Sequence, residues 1–215
     1  MPVTKDSLLK AMEELKKTSV KRNFKQAVEL IVKLRDVDLK KSESRISEQV
    51  EMPNNMGKPV KVCVIASGDL GVRAKKAGAD LVIGREELDK LGKDKKAIRK
   101  LSREFDYFVA EAPLMPVIGK TIGSKLGPKG KMPTPVPPSA PIEDVLERHR
   151  RMVRLRVRDQ PVIQCRVGIE DMPDEKIIEN IQAVITKIEG KFERGSKNIG
   201  SIILKTSMGP PIKVM

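Results

Sequence analysis

Aromatic side chains are scarce in this chain of 215 residues, which has one tyrosine, four phenylalanines and no tryptophan. Proteins that grip single-stranded nucleic acid rely on stacking platforms worth about 1–3 kcal/mol per base. Five rings, three of them within residues 105–111, supply few such platforms. Histidine is scarcer still. The single imidazole, His149, lies in the basic run RHRRMVRLRVR (148–158) and reads as an exposed side chain on a solvated connector. Ser-His-Asp, Cys-His and histidine-metal chemistry therefore have almost no material, and no catalytic residue, metal ligand set or cofactor is expected. The two cysteines, Cys63 and Cys165, each sit in an apolar strand-like run and read as buried reduced thiols. No apolar run approaches the ~18 residues of a membrane span, and MPVTKDSLLK lacks the apolar core of a signal peptide. A cytoplasmic protein with no membrane partner is expected.

Nucleotide-binding glycine motifs are also missing. A strand followed by SGDLG (67–71) is where a dinucleotide fold would carry its glycines, yet G-x-G-x-x-G does not occur. GSKLGPKGKM (123–132) has the composition of a phosphate loop, but no glycine stands five residues before Gly130. Met132 also replaces the hydroxyl that would bind magnesium, so the segment reads as a glycine and proline turn that shapes its domain.

Positive charge is what the chain has in excess. Lys and Arg number 43 against 29 Asp and Glu, a net charge of +14 with a pI near 9.8. The excess is +5 over residues 1–66, +8 over 67–157 and +1 over 158–215. An acidic polymer is the partner this balance calls for. With so few stacking platforms, folded RNA read through backbone, 2′-hydroxyls and shape fits better than unstacked single strands.

The apolar pattern predicts the elements. Leu8, Met12 and Leu15 at i, i+4, i+7 make residues 4–17 an amphipathic helix with Thr4 or Asp6 as N-cap. RNFKQAVELIVKLR alternates, with Phe24, Gln26, Val28, Leu30, Val32 and Leu34 on one side, which predicts a half-buried strand. A helix through Phe24, Val28, Ile31 and Leu34 fits the same spacing. Residues 60–83 carry a β-α-β rhythm, 86–103 a charged helix, 105–111 an apolar strand and 142–152 a helix. Between the last two stand eight of the 15 prolines, predicting a long ordered loop or a short helix flanked by loops. Residues 161–170 and 201–207 read as strands. PDEKIIENIQAVITKIEGKF reads as a helix with Ile177, Ile181, Val184 and Ile188 on one stripe.

The expected fold is an α+β domain built from both chain ends, residues 1–66 and 158–215, with an inserted α/β domain, Rossmann-like and three-layered, over 67–157. Its two crossings, near Ser67 and Arg158, would lie side by side as a hinge.

NFKQAVEL near the start, IGSKLGPKGKMP in the middle and KTSMGPPIKV at the end resemble, in this order, the large-subunit ribosomal protein one family in its archaeal form. The resemblance covers essentially the whole chain. It implies a non-enzymatic protein, monomeric off the ribosome, that binds a stem and loop region of large-subunit ribosomal RNA. That RNA forms the mobile stalk beside the exit site, making deacylated tRNA a further implied partner. Many family members also bind a similar structure in their own messenger RNA and repress its translation; a stand-alone messenger-binding regulator is the alternative.

The implied RNA contacts carry over to Asn23, Phe24, Ala27 and Glu29 on the first strand and to Ser201, Thr206, Ser207, Met208 and Gly209, with Pro210 shaping the same turn. Bacterial relatives often have Thr where Ala27 and Ser207 stand. At position 27 a hydroxyl contact is lost, and Ala27 offers only van der Waals or backbone contact. Hydroxyls of Thr206 and Ser207 are expected to meet 2′-OH groups, and Gly209 to let backbone approach a sugar closely. Glu29 repels phosphate, so at an RNA surface it belongs opposite base amino groups. Without the resemblance, Phe24 and Met208 read as ordinary core.

Overall fold

The computed structural model describes residues 4–38, 46–57, 59–157, 159–192 and 194–214. The chain divides into two compact units, Met1–Lys58 with Arg151–Met215 and Pro59–Arg150.

In the unit built from both ends, α1 (Lys5–Thr18) starts at Thr4, whose hydroxyl accepts from Ser7 N. Four antiparallel strands lie in the order β10 (Ile212–Lys213), β9 (Ile199–Thr206), β1 (Ala27–Leu34) and β8 (Val162–Ile169). Alternation decides the faces: Val28, Leu30, Val32 and Leu34 of β1, with Ile202 and Leu204 of β9, are buried. The helices α1 and α8 (Asp174–Glu189) contact strands of this sheet. Their buried stripes are Leu8, Met12 and Leu15 on α1 and Ile177, Ile181, Val184 and Ile188 on α8. Burying that much aliphatic surface, at about 25 cal/mol per Å², is the main term holding the unit together.

A second antiparallel pair joins β2 (Ser47–Glu51) to β7 (Met152–Arg156). The stretch MVRLR is thus a strand whose Val153 and Leu155 are buried, and not a charged connector. Its arginines supply the polar half of a period-two pattern.

The inserted unit has a parallel sheet in the order β4 (Leu81–Ile83), β3 (Val62–Ile65), β5 (Tyr107–Glu111) and β6 (Thr134–Val136). β3 and most of β5 are buried continuously, as strands inside a parallel sheet should be. Pro135 sits in β6 at the sheet edge, where a missing N–H costs least. Helices α2 (Gly68–Lys76), α3 (Arg85–Lys93), α4 (Lys95–Glu104) and α7 (Ile142–Arg151) accompany it. The charged helix expected over 86–103 is two helices, because Asp94 caps a new start by accepting from Lys96 N and Ala97 N.

The proline-rich segment is more helical than expected. A 3-10 turn at Ala112–Leu114 runs into α5 (Met115–Thr121) and α6 (Gly123–Leu126). Leu114, Ile118, Ile122 and Leu126, four residues apart, are all buried. In the GPKGKMP turn, Lys129 Nζ donates to Ser102 Oγ at 2.6 Å and Lys131 Nζ to Phe105 O at 2.6 Å, so both lysines tie the turn to the end of α4.

Three sequence expectations need correction. The units part at 58/59 and 150/151, not at 66/67 and 157/158. β3 is a central strand of the inserted sheet and β7 pairs within the other unit, so each carries its neighbourhood with it. Ser67 therefore lies inside the inserted unit, with its N–H and hydroxyl both donating to Glu111 Oε2 at 3.0 Å. Arg158, its expected counterpart, lies outside the described residues. His149 is 3% exposed, because the stripe Ile142, Leu146, His149 on α7 faces inward. Its Nδ1 lies 2.7 Å from Val145 O, its Nε2 lies 3.2 Å from Thr134 Oγ1, and its ring meets Tyr107 edge to face.

Candidate nucleic-acid interface

β1 and β9 run antiparallel with Val28 opposite Thr206 and Glu29 opposite Lys205. The first strand residue, Ala27, therefore meets the turn that follows β9. Ser207 N donates to Ala27 O at 3.0 Å, and Ala27 N donates to Ser207 Oγ at 3.2 Å. Gly209 N then folds back to Thr206 O at 3.2 Å, and Met208 N donates to Gln26 Oε1 at 3.2 Å. The consequence is a tight turn that presents Met208, 62% exposed, beside the entry to β1. Phe24, just upstream, is 53% exposed. Neither residue is core, and the reading of both as ordinary packing is overturned.

Hydrogen bonds join Ala27 to Ser207, Gln26 to Met208 and Thr206 to Gly209 at one end of the sheet, where Pro210 leads into β10. Glu29 is half-buried and stands in register with Lys205 on one side and Arg166 on the other. Two cationic neighbours fit a carboxylate at an otherwise basic face. Ser201 pairs with Lys33 toward the opposite end of the same sheet face. At about 3.4 Å per residue it stands roughly 17 Å along β9 from Thr206. Asn23 is exposed in the bend before the strand.

Thr206 departs from expectation. It is 2% exposed and lies on the helix-covered side, where its Oγ1 is 3.3 Å from Ser19 Oγ. Its hydroxyl supports the turn from behind and offers nothing to a ligand. The strand's alternation decides this, since Lys205 and Ser207 take the other side.

Gln26 is not among the expected site residues, and its signal in the sequence is that it alone is polar in the otherwise apolar series 24 to 34. It is 1% exposed. Its Nε2 donates to Val20 O at 3.0 Å, Ser19 Oγ at 3.3 Å and Glu170 Oε2 at 3.4 Å, and its backbone N donates to Glu170 Oε1 at 3.1 Å. Beside it, Lys25 pairs with Asp171 at 2.8 Å, a hydrogen bond that holds the ammonium pKa above its ordinary value.

Residues 15–210 match the model of the ribosomal protein L1p/L10e family. The chain belongs to that family. It is a ribosomal protein and not an enzyme. The large ribosomal subunit protein uL1 of Methanothermobacter thermautotrophicus is 45% identical over 208 residues, 97% of this chain and 98% of the relative. That of Thermofilum pendens is 48% identical over 214 residues, 99% and 94%. That of Archaeoglobus fulgidus is 45% identical over 215 residues, the whole of both chains. Family membership of the archaeal type, expected from three short motifs, thus extends along the full length.

Proposed function

We propose that the protein is a structural constituent of the large ribosomal subunit, in the cytoplasm, whose two-ended unit binds the folded stalk region of the large-subunit ribosomal RNA. The observation that carries the reading is the turn at Ser207, Met208 and Gly209, hydrogen-bonded to the start of β1 and presenting an exposed methionine beside an exposed phenylalanine. Exposed large apolar side chains on a chain of net charge +14 suit sugar and base faces within a backbone-dominated contact. Lys205 and Lys33 on the same sheet face supply phosphate partners, and Glu29 reads base amino groups.

The inserted unit, a Rossmann-like three-layer body, moves with the stalk near departing tRNA, and the crossings near Pro59 and Arg150 act as its hinge. The same RNA face binds a similar fold in the protein's own messenger RNA and represses its translation. A regulator acting on messenger RNA alone would reverse the expected affinity order, ribosomal RNA fragment above messenger site at equal salt.

Met208→Asp tests the site. At 62% exposure the substitution leaves folding intact, but it seats an unpaired carboxylate in the RNA interface. Affinity for the ribosomal RNA fragment should fall by about 2 kcal/mol or more, roughly thirtyfold. An unchanged constant would move the site elsewhere.

A further inference from the structure

The side of β1 that faces the helices is apolar at Val28, Leu30, Val32 and Leu34, and Gln26 continues that series with a carboxamide 1% exposed. A leucine there would match the pattern, so the amide must do something that burial does not. Its orientation is decided by its partners. Three acceptors, Val20 O, Ser19 Oγ and Glu170 Oε2, surround Nε2, which leaves Oε1 toward the one donor, Met208 N. A single side chain thus links the end of α1, the end of β8 and the turn after β9.

We propose that Gln26 is the positioning residue of the RNA-contact turn: it holds the Met208 amide, and with it the exposed side chain, in the RNA-binding geometry before RNA arrives. The Met208 N–H, which the turn itself leaves pointing inward, donates to Gln26 Oε1 at 3.2 Å. Glu170 supports the same role, since its two carboxylate oxygens accept from the backbone N and the side chain of Gln26. Preorganisation of this kind raises affinity by removing the entropy of ordering the turn on binding. The inference rests on the reading of the turn as an RNA contact, and the test separates the two.

Gln26→Leu fills the volume without hydrogen bonds, and Gln26→Ala leaves room for water at the vacated partners. Each is measured in the full chain for its dissociation constant with the ribosomal RNA stem-loop fragment at fixed salt, and for amide hydrogen exchange at Met208 and at Leu30 and Leu204 in the strands. The expected result is Met208 exchange at least tenfold faster and binding at least tenfold weaker, with Leu30 and Leu204 as protected as in the natural protein. Binding within twofold of the natural protein overturns the role. So does loss of protection at Leu30 and Leu204 together with Met208, or failure of both variants to fold, since Gln26 would then serve the core alone. Met208→Asp is the control: if it binds normally the RNA reading itself fails, and if it loses binding while the Gln26 variants do not, only the positioning role falls.

Discussion

Gly209 lies so close to the side chain of Thr206 that a Cβ at position 209 would overlap Thr206 Oγ1. Glycine is required here by that approach, since the backbone needs no left-handed conformation. The same Oγ1 is 3.3 Å from Ser19 Oγ, so it cannot swing away freely. Gly209→Ala should destabilise the two-ended unit by about 1–3 kcal/mol, the usual cost of overpacking. In a Thr206→Ala background the added cost should drop below about 0.5 kcal/mol, because the clashing oxygen is gone. Urea unfolding followed by signals of that unit gives the four corners of the cycle; additive costs would place the strain elsewhere.

Excising the inserted unit should leave RNA recognition in place. The flanks of the excision are already held together: Glu51 pairs with Met152 across β2 and β7, and Met52 N donates to Arg151 O at 3.0 Å. Asn54 is tied to α8 through Asn180, so the chain up to residue 57 belongs with the remaining unit. Replacing 59–150 by a short Gly-Ser linker should keep affinity for the ribosomal RNA fragment within about tenfold. A folded remnant that does not bind would make the inserted unit the reader.

His149 makes the inserted unit sensitive to acid. Burial holds its pKa below the ordinary 6.5, with Arg148 acting in the same direction and the Val145 carbonyl opposing. The unfolded chain therefore takes up a proton near pH 6.5 while the folded one still resists. Stability is fully present above that pH, declines as pH falls below it, and stops declining once the folded imidazole is protonated. Thermal midpoints between pH 7.5 and 5 should fall more steeply for the natural protein than for His149→Gln. Parallel profiles would remove His149 as the cause.

Burial pushes both thiols, Cys63 and Cys165, up to about 12 from 9.0. At pH 8 their thiolate populations are about a thousandfold below that of a free cysteine. Iodoacetamide should leave both unmodified in the folded protein over hours and label both within minutes in guanidinium. Cys63 lies in the inserted unit and Cys165 in the two-ended one, so each reports the opening of its own unit. Labelling at a free-thiol rate would contradict the buried strands.

Much of this architecture is legible in the sequence. α1 and α8 announce themselves by apolar residues three and four apart, since a helix buries one stripe. Val62 to Ile65 and Tyr107 to Ala110 announce buried parallel strands by unbroken apolar runs. The helical stripe Leu114, Ile118, Ile122, Leu126 was hidden because prolines and glycines between its members speak louder than a period of four. β2 and β7 were hidden because a two-stranded pair with charged alternate residues looks like a solvated run.

The candidate interface divides in the same way. Local sequence determined which residue types stand near the turn: a Met-Gly-Pro bend after a β-branched strand, and a strand start at Ala27. Tertiary structure alone decided which side chains face out. Antiparallel pairing of strands more than 160 residues apart sets Thr206 inward and Met208 outward, and it draws Ser19, Glu170 and Met208 onto the Gln26 carboxamide. Periodicity is a property of neighbours in the chain, whereas burial of a particular hydroxyl or imidazole depends on what the other end of the chain brings to it.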